Sequence, residues 1–151
     1  MTTVSVLIPA YNEQATIIEI LQAVQAQKID GVTFEVIVID DGSKDRTVDL
    51  LEAHPELYSQ LIKQPQNGGK GAAVKAGLKA ASGDYILFQD ADLEYDPADY
   101  EKLMKPALHF DADVIMGSRF LAPQFVRVSY FWHKVGNRLI TLMFNVFNNT
   151  T

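Results

Sequence analysis

Short, nearly continuous apolar runs alternate along the chain with segments whose apolar positions recur every three to four residues. The runs Val4 to Ile8, Phe34 to Ile39, Tyr85 to Phe88 and Val114 to Met116 are rich in Val and Ile, as expected of strands covered on both faces. Leu61-Ile62 is a weaker strand candidate. Between the strands, Ile17, Ile18, Leu21 and Val24 repeat at helical spacing, with Thr16 and Glu19 placed to form a capping box. Asp45 is placed to cap a helix carrying Val48, Leu50 and Leu51, which Pro55 ends. The small-residue run Ala72 to Ala81 predicts another helix, with Gly83 positioned to stop it. Asp96-Pro97 reads as N-cap and first residue of a helix running to about Phe110. A loop over residues 122–127 leads to an amphipathic helix from about Val128 to Phe147. Alternation of this kind is the sequence form of βαβ units, predicting an α/β, Rossmann-like fold with a mostly parallel sheet flanked by helices.

Composition narrows the chemistry. The chain has 151 residues, the length of one ordinary domain. It has no cysteine, which excludes disulfide frameworks, zinc knuckles and thiol nucleophiles and suits a reducing cytoplasm. Met1 precedes the first strand so closely that no signal peptide is expected. The net charge of −6 is unevenly spread: residues 120–151 hold three bases (Arg127, Lys134, Arg138) and no acid, so the first 119 residues carry −9 and the tail +3. An acidic body argues against nucleic acid as a partner. A basic, aromatic tail suits an anionic surface.

In an open parallel sheet, ligands bind beyond the carboxyl ends of the strands. Three of those ends carry polar clusters: Pro9-Ala10-Tyr11-Asn12-Glu13, Asp40-Asp41-Gly42-Ser43 and Asp90-Ala91-Asp92. With 12 Asp in the chain, chance alone supplies roughly one Asp-X-Asp pair, so position has to decide. Asp111-Ala112-Asp113 precedes its expected strand and reads as a solvated loop at the opposite edge. Asp90 and Asp92 straddle a turn just past a buried strand, where two carboxylates can serve one divalent cation while diphosphate oxygens and water complete its shell. Hard oxygen ligands imply magnesium or manganese (Mg2+ or Mn2+), and Glu94 is near enough to join. Asn67-Gly68-Gly69-Lys70-Gly71 lacks the Gly-Lys-Ser/Thr ending of a Walker A loop. Its glycines still permit close backbone approach, and Lys70 stands at a helix N-terminus, open to a donor phosphate or sugar contact or to a plain tight turn. No glycine follows the first strand, which demotes dinucleotide-dependent dehydrogenases.

These motifs, with Ile39, Asp45 and Gly117-Ser118-Arg119, resemble the family 2 glycosyltransferases of the GT-A fold, particularly the branch similar to dolichyl-phosphate mannosyltransferase and bacterial polyprenyl-phosphate glycosyltransferases. The resemblance implies that Pro9, Ala10, Tyr11, Glu13, Ile39 and Asp41 hold the base and ribose of a nucleotide sugar, with Asp41 accepting a hydrogen bond from the base. Lys70 joins that donor site. It further implies that Asp90 and Ala91 flank the ribose and diphosphate, that Asp92 is the principal metal ligand beside Asp90 and Glu94, and that Arg119 meets the acceptor phosphate. Many relatives carry Gln where this chain has Glu94. Relatives are also usually longer, so a C-terminally truncated chain is expected, with residues 1–121 as the donor-binding core and 122–151 as the start of the acceptor- and membrane-proximal part.

The implied reaction is inverting transfer of a sugar from a GDP- or UDP-sugar. A sugar hydroxyl must lose a proton as it attacks and needs a base, whereas a phosphate monoester with a second pKa near ~6 is already anionic. Residues 120–151 offer no carboxylate, which favours a polyprenyl-phosphate acceptor, with Arg138 in the tail as a second phosphate contact. Two alternatives stay open: transfer to a saccharide hydroxyl, or a donor-binding module without turnover. The last helix, with Tyr130, Phe131, Trp132, Leu139, Leu142, Met143, Phe144, Val146 and Phe147 beside Arg127, His133, Lys134 and Arg138, reads either as a membrane-interface element or as a core helix. It is too interrupted to span a bilayer. The expected location is the cytoplasm, peripheral at the cytoplasmic face of a membrane.

Overall fold

The computed structural model describes residues 1–110, 112–116 and 131–148. The chain divides into two compact units, Met1–Val114 and Ile115–Thr151. In the first, β1 (Thr2–Ala10), α1 (Ile17–Gln25), β2 (Val32–Asp40), α2 (Thr47–Ala53), β3 (Gln60–Lys63), α3 (Lys70–Ala80), β4 (Tyr85–Phe88) and α4 (Tyr100–Phe110) follow in chain order. In the second, α5 spans Phe131–Asn148.

Every strand pairing is parallel, in the order β3-β2-β1-β4. Period-two alternation divides the core between the two faces of the sheet. Val6, Ile8, Val36 and Val38 pack with Ile17, Ile20 and Leu21 of α1, Leu51 of α2 and Tyr100 of α4. Leu7, Ile37 and Ile39 pack on the other face with Ala73 of α3. The weak candidate Leu61-Ile62 lies in β3, held by the edge of β2.

Three local expectations are corrected. The described residues 114–116 form no strand, and Val114 and Met116 are exposed. A run of three apolar residues is shorter than an ordinary strand of about 5–6 residues and buries too little to hold itself in a sheet. The capping box at α1 does not form: the Thr16 hydroxyl donates to Glu13 Oε2 (3.0 Å) and makes no cap bond to the helix, while the Thr16 amide that Glu19 would have to serve already donates to the Glu13 carbonyl (3.1 Å). Glu13, three residues upstream, thereby closes the turn into α1, its carbonyl also accepting from Ile17 N (2.9 Å). Gly83 does not stop α3, which ends at Ala80 with Ala81 already extended. A Cβ on Gly83 would lie 2.7 Å from Ser5 N and 2.8 Å from the Thr3 carbonyl, so glycine there lets the α3–β4 connection lie against β1.

That close approach completes a polar latch on the α3 face of the sheet. The buried Ser5 hydroxyl donates to the Glu35 carboxylate, which also accepts the Ser82 amide (2.9 Å) and hydroxyl (2.7 Å), while Gly83 N donates to Ser5 Oγ (2.9 Å). The Ser5 hydroxyl, then the Ser82 amide, hold the Glu35 carboxyl below its ordinary value of 4.5. A lowered folded pKa means stability that is present above the unfolded value and lost as pH falls through the folded one. Glu35→Gln is therefore expected to cost about 1–2 kcal/mol at neutral pH, and the gap to the parent should close on acidification below 4.5. Thermal midpoints of both proteins across that range test this; a gap that stays constant with pH contradicts it.

Candidate functional site

Because the strands are parallel, their carboxyl ends share one edge of the sheet. Asp40, paired with Ala10 of β1 and Lys63 of β3, folds its side chain back so that Oδ2 accepts from Gly42 N (3.1 Å) and Ser43 N (3.2 Å). Gly42 has φ +72°, and a Cβ on it would lie 2.8 Å from Asn67 N and from the Gln66 carbonyl carbon, so both the turn and the approach of the next loop require glycine.

The loops after β1 and β2 are laced together. Asn12 N donates to Ser43 Oγ (2.9 Å), Lys44 N to Asn12 Oδ1 (2.8 Å), Glu13 N to Thr47 Oγ1 (2.8 Å) and Arg46 N to Gln14 Oε1 (3.1 Å). Asn12 sits at φ 56°, a left-handed conformation that Asn tolerates better than most residues. Asp45 accepts Gln14 N (3.2 Å) on one oxygen and the Thr47 amide (3.0 Å) and hydroxyl on the other, which anchors the start of α2 from one residue before its N-cap, Arg46, rather than as the cap itself. Burial pushes its pKa up, but the Thr47 hydroxyl and these amides outweigh burial and hold the carboxyl below its ordinary value.

Asp41 is buried, and its two oxygens accept from Gly68 N (3.0 Å) and Gly69 N (2.8 Å). The next residue, Lys70, pairs its Nζ with Asp90 Oδ1 at 2.6 Å. Residues 68–70 thus run from the end of β2 to the end of β4, and β1 lies between those two strands. A cleft of about 460 Å³ opens there, lined by Pro9, Lys70, Val74, Phe88, Asp90 and Tyr95. A second hollow of about 300 Å³, formed among others by Val24, Val32 and Phe34, has Lys28 as its single charged lining residue and gathers no comparable chemistry.

After β4, Gln89 N donates to the Leu7 carbonyl (3.0 Å) and the chain turns away over residues 90–95. Asp92 is exposed, and its Oδ1 accepts Glu94 N (3.1 Å). Leu93 adopts φ 61°. Among the described residues no group of three or more His, Cys, Asp or Glu side chains converges on a metal position, so Asp90, Asp92 and Glu94 do not form a ready three-carboxylate cage. An exposed Asp92 and an Asp90 that engages Lys70 through one oxygen do have the donor chemistry of a hard divalent cation, which takes its remaining oxygens from phosphate and water.

The expected site residues fall in different surroundings. Pro9, Lys70 and Asp90 line the cleft, Tyr11 and Glu94 are exposed beyond the strand ends, and Glu13 is half-buried under Thr16. Ala10, Ile39 and Ala91 are buried; Ile39 packs beneath α3 with Leu7 and Ala73. Arg119 and Asp111 lie outside the described residues, Asp113 is exposed, and Arg138 is exposed on α5. Two features at this edge escape a reading of the sequence: the grip of Asp41 on the glycine loop, and the buried Gln89. The signal for the second is an amide standing where a fifth apolar residue would otherwise precede the acidic pair.

The family model described as "Glycosyl transferase family 2" matches residues 5–146. Undecaprenyl-phosphate 4-deoxy-4-formamido-L-arabinose transferase of Pseudomonas aeruginosa is 37% identical over 108 residues, covering 69% of this chain and 32% of that protein. Dolichol-phosphate mannosyltransferase of Pyrococcus furiosus is 34% identical over 119 residues, covering 78% and 33%. The chain therefore spans about a third of the length of these relatives. Among solved structures, glucosyl-3-phosphoglycerate synthase from Mycobacterium tuberculosis, in complex with Mn2+, UDP and glucosyl-3-phosphoglycerate, superposes with a TM-score of 0.59 at 33% identity, covering 72% of this chain and 40% of that one.

Proposed function

The chain belongs to the family 2 glycosyltransferases, and from that premise we propose that its strand-end cleft binds a nucleoside-diphosphate sugar whose sugar is transferred, with inversion, to a polyprenyl phosphate. The observation that carries the reading is the bridge of residues 68–70, which ties the Asp41 end of the sheet to the Asp90 end across one cleft. The fold, a parallel sheet between helices, is the GT-A arrangement.

The division of labour follows from the two ends of that bridge. The base and ribose lie toward Pro9, Tyr11, Glu13 and Asp41; each Asp41 oxygen retains a lone pair beyond its loop amide and accepts from the base. The diphosphate lies toward Asp90, Asp92 and Lys70, whose ammonium turns from Asp90 to a phosphate oxygen near the N-terminus of α3. Asp90 and Asp92 would hold magnesium or manganese, which when bound neutralises charge on the leaving diphosphate. The acceptor oxygen attacks the anomeric carbon from the face opposite the diphosphate, the bond to the diphosphate oxygen breaks, and the nucleoside diphosphate leaves with the electron pair. A phosphate acceptor needs no base, since it is ionised at neutral pH. Arg119 and Arg138 are the proposed contacts of that phosphate.

The acceptor class rests on the polyprenyl phosphates named in two relatives. It is supported by α5, which exposes Leu139, Ile140, Leu142, Met143 and Phe144 beside Arg138, a composition suited to an anionic membrane surface. No helix among the described residues is long and apolar enough to cross a membrane.

The test is a calorimetric panel of GDP-mannose, UDP-glucose and UDP-GlcNAc, with and without manganese. One donor class is expected to bind, and manganese to tighten it by roughly tenfold or more, about 1.4 kcal/mol. Absence of binding to every donor, or affinity indifferent to manganese, overturns the donor site. Product analysis with the bound donor then separates lipid phosphate, the expected acceptor, from a saccharide hydroxyl.

A further inference from the structure

The loop that carries Asp90 and Asp92 is closed by one buried side chain. Gln89 is 1% exposed, and its Nε2 donates to the carbonyl of Asp90 and to that of Tyr95, both at 3.0 Å. These two carbonyls bracket the loop. Its Oε1 accepts from the Tyr100 hydroxyl at 2.8 Å.

The orientation of this amide follows from its partners: carbonyls only accept, so the NH2 group must face both of them, and the remaining oxygen then requires Tyr100 to donate. Burial raises the Tyr100 phenol above its ordinary value, which keeps that donor protonated. Tyr100 is itself immobilised as the first residue of α4, buried against Phe34 at 5.6 Å between ring centroids. Between the bracketed carbonyls, Leu93 is held at φ 61°, a left-handed conformation that a non-glycine residue rarely adopts and that persists only where surroundings impose it.

Building on the donor-binding reading above, we propose that Gln89, held by Tyr100, is a positioning residue: a two-pronged amide clamp that fixes the 90–95 loop in the shape that presents the Asp90 and Asp92 carboxylates together to the donor diphosphate and its cation. Gln89 touches neither. It acts through the backbone at both ends of the segment that does.

The experiment compares the parent with Gln89→Leu, Gln89→Glu and Tyr100→Phe, using UDP and GDP as probes with and without manganese, together with hydrogen exchange of the 91–95 amides. Gln89→Glu keeps the shape but cannot donate to two carbonyls, and Tyr100→Phe keeps the ring packing if Gln89→Leu does not fold. The gain in nucleotide affinity conferred by manganese should shrink by about tenfold in both Gln89 variants, the scale found for residues that orient metal ligands, and by a smaller factor in Tyr100→Phe. Metal-free affinity should change less than about twofold against RT ln 10 of 1.4 kcal/mol, while loop amides exchange faster. Variants that keep the full manganese gain, or lose affinity equally with and without metal, overturn the clamp alone. A parent that binds neither nucleotide overturns the donor-binding reading, and the clamp with it.

Discussion

Replacing Asp92 with Ala is expected to abolish the manganese-dependent part of donor binding and to lower sugar transfer by roughly a hundredfold or more, about 3 kcal/mol of transition-state stabilisation. The carboxylate is exposed, and its recorded partner is the Glu94 amide two residues on. Stability should therefore change by no more than about 0.5 kcal/mol, as for surface substitutions outside packed or networked positions. An unchanged thermal midpoint beside a lost metal response is the signature to look for. Calorimetry with the bound donor, with and without manganese, gives the first half and product formation with lipid phosphate the second. Asp92→Ala that binds donor and manganese like the parent would remove this residue from the site.

Asp41→Asn should behave in the opposite way. Its two oxygens accept the Gly68 and Gly69 amides in a buried position, so an Asn of the same shape turns an NH2 group toward one of those donors. Losing a charged hydrogen bond and stranding a buried amide costs about 2–3 kcal/mol, and in a unit of this size roughly 10 °C in thermal midpoint or somewhat more. With the bridge of residues 68–70 released, nucleotide affinity should fall to a similar extent with and without manganese. Faster hydrogen exchange at Gly68 and Gly69 would locate the effect. A midpoint equal to the parent's would mean that the loop is held by something other than Asp41.

The contrast between these two aspartates reflects what each kind of information reaches. Both were legible in the sequence as residues following a buried strand, whereas the identical tripeptide at residues 111–113 was set at the opposite edge only by a strand expected over residues 114–116 that does not form. What Asp41 touches was not legible, because Gly68 and Gly69 lie 27 and 28 positions further along the chain and no local pattern links them. Thr16 illustrates the same limit at short range: its spacing to Glu19 satisfied the capping rule, and the carbonyl of a nearer residue, Glu13, took the amide that Glu19 would have served. Asp96 caps the 3-10 turn Pro97–Asp99 that leads into α4, as its position foretold, while Asp45 holds the Thr47 amide from one residue before the N-cap of α2, Arg46.

By itself the amino-acid order determined the alternation of strands and helices, the parallel sheet and the edge on which the acidic clusters gather. Those follow from hydrophobic periodicity and from the rule that crossover connections keep strands parallel. Only the tertiary structure decided that the glycine loop is pinned to Asp41, that Lys70 pairs with Asp90, and that Gln89 joins the two ends of the 90–95 loop. Each is a hydrogen bond or ion pair across the strand-end edge, made when packing brings the groups within about 3 Å of one another.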